Sequence, residues 1–192
     1  MNLPLIPGIE AAGIVEVIGP DVTEFKVDFT TAAAVLLQGM TAHGLTHGAY
    51  PVQPGDIVLV HAAGSGVGLY LVQMAKQRGA TVIGTVSTSE KARLAQRCGA
   101  DHTILYTEDD FEAAIQHLTK NRGSLFLTWA TLSDYAASRE DLLWRARDVL
   151  TWVAEKKLVV HIAHCLPLVQ AAETHRLLES RQIAGKIILI PE

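Results

Sequence analysis

Apolar runs alternate with helical patterns along this chain, which is the arrangement expected of an α/β protein with parallel strands. The short runs are rich in Val, Ile and Thr, and they predict strands at 14–18, 57–60, 81–86, 102–106, 124–129, 158–163 and 186–190. The longer patterns predict helices at 30–47, 109–119, 139–155 and 168–180, and two further helices that end near Gly79 and Gly99.

The same patterns predict helix caps and buried faces. Thr30 or Thr31 is the expected cap of the first helix, and the segment at 87–90, Ser-Thr-Ser-Glu, has the spacing of a capping box. Trp144 and Trp152 are interpreted as core residues. The helix at 139–155 is expected to bury an apolar side made of Leu142, Leu143, Ala146, Val149, Leu150 and Val153.

A cluster of small residues at 62–68 separates the strand at 57–60 from the next helix. Its glycines stand at 64, 66 and 68, which departs from the strict G-x-G-x-x-G spacing. A buried strand, a tight glycine turn and a helix N-terminus together form the usual cradle for a dinucleotide pyrophosphate. The turn therefore predicts a dinucleotide site, and an ordinary strand–helix turn is the alternative interpretation.

The end of the strand at 81–86 indicates which dinucleotide would fit. An NAD site usually places Asp or Glu there, about 20 residues beyond the glycines, to bind the ribose 2′-hydroxyl. This strand is instead followed by Ser87, Thr88 and Ser89, with Lys91 just inside the next helix. Hydroxyls and an ammonium would hold a 2′-phosphate, which a carboxylate would repel. The pattern favours NADPH over NADH. In the alternative interpretation, Ser87 is only a helix cap.

Composition and charge exclude several classes of function. The 192 residues suffice for one domain, and 49% are hydrophobic against 19% charged, as in a soluble globular protein. The net charge of −4 offers no basic field for nucleic acid, and no apolar stretch reaches the ~20 residues that span a bilayer. Cys98 and Cys165 lack metal-ligand spacing, and His43 and His47 lack an evident third ligand, so no metal site is predicted. Reduced cysteines fit a cytoplasmic protein.

Several segments resemble one known family. They include His61-Ala-Ala-Gly-Ser-Gly-Val-Gly, Gly84-Thr-Val-Ser-Thr-Ser-Glu-Lys91, Leu37-Gln-Gly-Met-Thr-Ala-His43 and Leu178-Glu-Ser-Arg-Gln-Ile-Ala-Gly-Lys186. Together they resemble the zinc-independent NADPH:quinone oxidoreductases, close to zeta-crystallin, of the medium-chain dehydrogenase/reductase superfamily. The resemblance implies zinc-independent hydride transfer from NADPH to a quinone or activated enone, in a cytoplasmic homodimer.

The resemblance also implies roles for individual residues. The turn residues Ser65, Gly66, Val67 and Gly68 would cradle the pyrophosphate. Ser87 and Lys91 would hold the 2′-phosphate, Tyr106 would pack near the adenosine, and Arg181 would reach the cofactor from the C-terminal part. Thr41, with Met40 and His43, would stand at a helix start beside the nicotinamide, and Thr41 is the candidate catalytic residue.

The chain departs from this family in the segments that it lacks. The family's N-terminal strands have no counterpart, several strands are missing after Val27, and two strands of the Rossmann sheet with a helix are missing near Asn121. The expected fold is a shortened Rossmann-like parallel sheet with remnants of a mainly-β catalytic domain from both chain ends. The predicted division is a catalytic-domain remnant at 1–29, an NADPH-binding domain at 30–138, and C-terminal helices and strands at 139–192.

The missing strands bear on function, because in the family they enclose the nicotinamide. Hydride transfer requires donor and acceptor about 3–3.5 Å apart with water excluded. Three functions therefore stay open: a shortened quinone reductase, an NADPH-binding remnant without turnover, and a stable crystallin-like structural protein. Missing strands also leave sheet edges open, which favours association with another chain.

Overall fold

The computed structural model describes residues 27–120, 132 and 136–191, so the strands predicted at 14–18 and 124–129 lie outside the described residues. The helices are α1 (Phe29–His43), α2 (Gly66–Gln77), α3 (Ser89–Arg97), α4 (Phe111–Thr119), α5 (Arg139–Ala154) and α6 (Ala171–Glu179). The strands are β1 (Ile57–Val60), β2 (Thr81–Val86), β3 (His102–Leu105), β4 (Ile162–Pro167) and β5 (Lys186–Ile190). A π-helical turn (Gly44–Ala49) follows α1, and a 3₁₀ turn (Leu168–Gln170) precedes α6.

We call the residues from β1 to α4 (57–119) the nucleotide-type half. At its centre lies a three-stranded parallel sheet with the order β1-β2-β3. Ile57 pairs with Thr81, and Ile83 pairs with His102, so each strand lies beside the next one in the chain. Buried valines of this sheet pack against small apolar side chains of α2 and α3, as expected of parallel strands covered by helices. The structure confirms the predicted α/β class and its Rossmann-like parallel sheet.

Helix α1 packs against both α2 and α5. A Cβ at Gly39 would lie 2.8 Å from Val149 Cγ1, so glycine at this position allows the close approach of α1 and α5. The Tyr70 hydroxyl of α2 donates to the Ala34 carbonyl of α1 at 3.3 Å. A second apolar core fills this region and comprises Val35, Ala42, Tyr70, Met74, Val149, Leu150 and Leu158.

A polar cluster, which we call the histidine cluster, lies inside the α1–α5 interface and consists of His43, His47, Arg145 and Asp148. His43 is fully buried, with Nε2 3.0 Å from Asp148 Oδ2 and Nδ1 3.0 Å from Arg145 Nη1. A guanidinium only donates, so Nδ1 accepts and the Nε2–H donates to Asp148. His47 stacks on His43 with ring centroids 4.2 Å apart. Burial lowers the pKa of His43, and burial together with neighbouring His43 lowers the pKa of His47 to about 4.

The strand predicted at 158–163 is wrong in its position, because β4 begins at Ile162. Leu158 is 2% exposed and belongs to the second apolar core. The Gln73 carboxamide donates to the Val159 carbonyl at 3.1 Å and accepts from Val159 N at 2.7 Å. Since a side chain satisfies this backbone, the segment needs no neighbouring strand. β4 instead pairs in parallel with β5, which has the predicted bounds.

Two predicted helix caps are also wrong. Asp28 caps α1, because its Oδ1 accepts from Thr31 N at 2.9 Å, so neither Thr30 nor Thr31 is the cap. Thr88 caps α3, because its extended backbone lets its Oγ1 accept from Lys91 N at 3.2 Å. The capping box predicted at 87–90 is therefore wrong, because the helix begins one residue later with Lys91 at its third position, and Ser87 lies outside the helix.

The predicted apolar side of α5 is wrong in its first turns. Leu142 and Leu143 are each 41% exposed, and Trp144 is 42% exposed, so Trp144 is not a core residue. Arg145 is 3% exposed instead, because His43 draws its guanidinium into the histidine cluster. Val149 and Leu150, further along α5, are buried as predicted. The predicted domain boundaries stay a prediction.

Candidate dinucleotide site

The turn between β1 and α2 is built for close backbone approach. Ala62 has a φ of +52°, and a Cβ at Gly68 would collide with the Ala62 carbonyl oxygen and lie 2.9 Å from Ala63 Cα. Ser65 caps α2, because its Oγ accepts from Gly68 N at 3.1 Å. The backbone N–H groups at positions 66 and 67 stand at the same helix N-terminus with no hydrogen bond to a described residue. Such N–H groups are ready to bind an anion.

The end of β2 places an ammonium group beside this turn. Lys91 Nζ donates to Ser87 Oγ at 3.4 Å and to the Arg181 carbonyl at 2.6 Å. A Cβ at Gly64 would lie 2.8 Å from Lys91 Cβ, so the turn needs glycine there for the Lys91 stem to pass. The lysine thus joins the nucleotide-type half to the turn that precedes β5.

These groups line a cleft of about 430 Å³, which we call the phosphate cleft. It is lined by Ala62, Gly64, Ser65, Val86, Ser87, Lys91, Tyr106, Arg181 and Ile183. Two of these described residues are cationic and none is Asp or Glu. The Tyr106 side chain is 50% exposed and offers an aromatic face along the cleft. An anion that carries an aromatic base matches this lining.

The phosphate cleft brings together residues that are far apart in the sequence. Five residues predicted from the sequence line it: Ser65, Ser87, Lys91, Tyr106 and Arg181. Gly66, Val67 and Gly68 form the first turn of α2 directly after Ser65. The structure thus places the predicted residues in one region, and their contact with a cofactor stays a prediction.

Sequence reasoning missed three residues of this region. Ile183 forms an apolar part of the cleft wall. Its position two residues beyond Arg181 was the signal that could have predicted this. Gly64 was visible as part of the glycine cluster, but its role depends on Lys91, which only the fold brings close. Gln38 of α1 lies against the turn at Gly66, and its signal was its place in the Leu37–His43 segment that carries the family resemblance.

The family resemblance implies that Thr41 stands at a helix start. The structure places it in the last turn of α1 instead, because α1 begins at Phe29 after its Asp28 cap. Its hydroxyl donates to the Leu37 carbonyl at 2.6 Å, which leaves its oxygen able to accept a hydrogen bond. Thr41 is half-buried and does not line the phosphate cleft. Its catalytic role stays a prediction.

A larger groove of about 680 Å³ lies between α2, α3 and the segment at 157–161. Its lysines are already engaged, since Lys76 Nζ lies 2.6 Å from Asp101 Oδ1 and Lys157 Nζ lies 2.6 Å from Glu155 Oε2. The groove shares no lining residue with the phosphate cleft and lies away from the glycine turn. The N–H groups at positions 66 and 67, which bond to no described residue, therefore make the smaller cleft the candidate dinucleotide site.

The parallel sheet, the glycine turn and the cationic cleft define a Rossmann-type nucleotide-binding protein. Two family models, both described as zinc-binding dehydrogenase, match residues 66–126 and 113–189. The 2-haloacrylate reductase of a Burkholderia species is 29% identical over 272 aligned positions, which cover 98% of this chain and 82% of the relative. The chain belongs to the medium-chain dehydrogenase/reductase superfamily, among its quinone oxidoreductases.

Solved structures support the same family. A quinone oxidoreductase of Pseudomonas syringae pv. tomato DC3000 superposes with a TM-score of 0.80 at 31% identity, over 86% of this chain and 66% of that chain. An Escherichia coli quinone oxidoreductase, solved as a complex with NADPH, superposes with a TM-score of 0.79 at 28% identity, over 86% and 66% respectively.

The alignment also shows an internal shortening. The 192 residues of this chain align over 272 positions, so at least 80 positions of the Burkholderia relative have no counterpart within the aligned region. This confirms the prediction that internal segments of the family are missing.

The family description mentions zinc, and the described part of this chain offers no cluster for it. Across residues 27–120 and 136–191, no three His, Cys, Asp or Glu side chains are grouped so that they could hold a metal ion. In the same ranges, no helix is long and apolar enough to cross a membrane.

Proposed function

We propose that this protein binds NADPH and uses it, without zinc, to reduce a quinone or an activated enone. The observation that carries the proposal is the end of β2, where the Lys91 ammonium and the Ser87 hydroxyl line a cleft whose described residues include no carboxylate. A 2′-phosphate is favoured by this charge, whereas the carboxylate typical of an NAD site would repel it. The Escherichia coli relative solved with NADPH supports the choice of cofactor.

The glycine turn fits the pyrophosphate of such a cofactor. Because Gly68 has no side chain, the start of α2 lies close against Ala62 and Ala63, directly after Ser65 of the cleft. When bound, NADPH supplies the hydride, so the protein's task is to bind and orient the cofactor and to exclude water. Lys91 and Ser87 would hold the 2′-phosphate, and Tyr106 would stack on the adenine.

A second candidate function is binding of NADPH without turnover. Among the described residues, β1 pairs only with β2, so no strand follows it on the side where a Rossmann crevice continues. At least 80 aligned positions of the Burkholderia relative are also absent. A cleft with one wall would hold the phosphates but orient the nicotinamide poorly. In the extreme form of this candidate, the protein has a crystallin-like structural role and its binding of NADPH is incidental.

One experiment separates these functions. NADPH and NADH are titrated by fluorescence against the wild-type protein, and NADPH oxidation is then followed with a simple quinone. We expect tighter binding of NADPH than of NADH, and quinone-dependent oxidation. Binding without oxidation would leave the second candidate, and equal affinity for the two cofactors would contradict the role of the end of β2.

Lys91→Ala tests the 2′-phosphate directly. It should weaken NADPH by about 1–3 kcal/mol, the range for a charge-assisted hydrogen bond, and leave NADH unchanged. The variant also loses the bond to the Arg181 carbonyl, so its free energy of unfolding is measured in parallel. Lys120→Ala, which removes an exposed lysine at the end of α4, serves as the charge-matched control. Equal weakening of both cofactors would make Lys91 a structural residue.

The oligomeric state and the location are further parts of the proposal. We expect a homodimer in the cytoplasm, because an open sheet edge favours association and the two cysteines are unpaired within the described residues. Light scattering of the purified protein would detect a mass near twice 20.7 kDa. A monomer at micromolar concentration would contradict the dimer.

A further inference from the structure

Gln38 carries a polar group that the fold leaves without a partner. Its carboxamide oxygen is buried and accepts no hydrogen bond, and it is the only buried side-chain nitrogen or oxygen of the described residues in that condition. Gln73 shows the ordinary arrangement, since its buried amide bonds to the Leu69 carbonyl and to both polar groups of the Val159 backbone. Native proteins keep few unpaired buried acceptors because each one is destabilising.

The carboxamide that carries this oxygen lies against the glycine turn. A Cβ at Gly66 would lie 3.4 Å from Gln38 Cδ and 3.6 Å from Nε2, so the carboxamide occupies the space beside the first residue of α2. The N–H groups at positions 66 and 67, which bond to no described residue, belong to the same helix start. Thr41 lies one turn further along α1, and residues three apart are neighbours on a helix surface.

The chemistry of the unpaired atom indicates what would satisfy it. A carboxamide oxygen needs a hydrogen-bond donor, and a pyrophosphate has none at neutral pH. A ribose hydroxyl next to the pyrophosphate is a donor, and the Gln38 amide nitrogen could donate to a phosphate oxygen at the same time. We expect the phosphate cleft, with Lys91 and Tyr106, to bind the adenosine half of the cofactor. Gln38 approaches the turn from α1 and does not line that cleft.

We propose that Gln38 binds the cofactor by accepting a hydrogen bond from the ribose hydroxyl on the nicotinamide side of the pyrophosphate. This proposal rests on the proposed function and adds a residue to the same site. It also explains the unpaired oxygen, since a group that destabilises the cofactor-free protein gains its partner only in the complex.

Gln38→Leu removes the unpaired acceptor at nearly constant volume. We expect the Tm of the cofactor-free variant to rise by about 2–4 °C, because a buried unpaired group is lost. The Kd for NADPH and for NADH should rise by the same factor, about 5- to 10-fold, because both cofactors carry this hydroxyl. Adenosine 2′,5′-bisphosphate lacks the nicotinamide ribose, so its Kd should not change.

Two further variants guard the interpretation. Gln38→Met keeps the unbranched stem and should repeat these results if the leucine variant does not fold. Gln116→Leu removes an exposed glutamine of α4 and should change neither the Tm by more than a degree nor any Kd.

Each outcome is decisive. A wild-type protein that binds neither NADPH nor adenosine 2′,5′-bisphosphate removes the proposed function and this inference with it. Wild-type binding that Gln38→Leu and Gln38→Met leave unchanged overturns this inference alone. A lower Tm in both variants, or equal weakening of the bisphosphate, would make Gln38 a structural residue.

Discussion

The nucleotide-type half and the α1–α5 pair are both well packed, but they are specified in different ways. In the nucleotide-type half, each strand pairs with the next one in the chain, and a short glycine turn sets the cleft. In the α1–α5 pair, contacts join residues about 100 positions apart, such as His43 and Arg145. The first region therefore follows from local pattern, whereas the second depends on a buried polar cluster that no local pattern indicates.

The largest effect is expected from a substitution that disrupts the α1–α5 pair. Arg145→Ala should lower the free energy of unfolding by about 3–5 kcal/mol, because the buried His43 ring loses the donor to its Nδ1 and the α1–α5 interface loses a large buried side chain. Urea denaturation measures the change, with Arg147→Ala as the control, because Arg147 is exposed on the same helix. A loss below about 1 kcal/mol would show that apolar packing alone holds the two helices.

A smaller effect is expected from the glycine turn. Gly68→Ala places a Cβ against the Ala62 carbonyl oxygen and should lower the free energy of unfolding by about 2–3 kcal/mol. It should also raise the Kd for NADPH about 100-fold, since backbone N–H groups move away from the phosphates. At Gly66 an added Cβ would make only ordinary van der Waals contacts. Gly66→Ala should therefore change the free energy of unfolding by less than about 1 kcal/mol. Equal stability losses would contradict the close-approach argument.

The smallest expected effect is a pH dependence confined to the α1–α5 pair. The pKa of His47 is about 4 in the folded protein against 6.5 in the unfolded chain, so only the unfolded chain binds this proton between those values. Stability is therefore complete above pH 6.5 and falls as the pH drops, by about 1–2 kcal/mol at pH 5. The lowered pKa of His43 acts in the same direction.

His47→Gln tests the origin of this pH dependence. If His47 carries the effect, the unfolding free energy of the wild type should fall between pH 7 and pH 5 by more than that of the variant. His175→Gln changes an exposed histidine on α6 and should leave the wild-type slope intact. A slope that His47→Gln does not alter would assign the dependence to other groups.

The contrast between the two regions also explains which predictions held. The bounds of β1, β2 and β5 match their predictions because β-branched runs end at clear turn residues. The apolar side of α5 was wrong because periodicity treats Arg145 as a surface residue, and only His43 makes its burial favourable. The helix start implied for Thr41 by the family resemblance was wrong, whereas the helical pattern at 30–47 already placed Thr41 inside a helix.

The parallel sheet, the glycine turn and the residue types at the end of β2 could be predicted from the chain alone, because strand period, turn chemistry and charge are local properties. The folded structure was needed to show that Lys91 meets the Arg181 carbonyl, that the Gln38 carboxamide beside Gly66 has an unpaired oxygen, and that Arg145 is buried. Each of these depends on elements that the chain brings together only when it closes on itself. Their geometry and desolvation are therefore absent from any short stretch of the sequence.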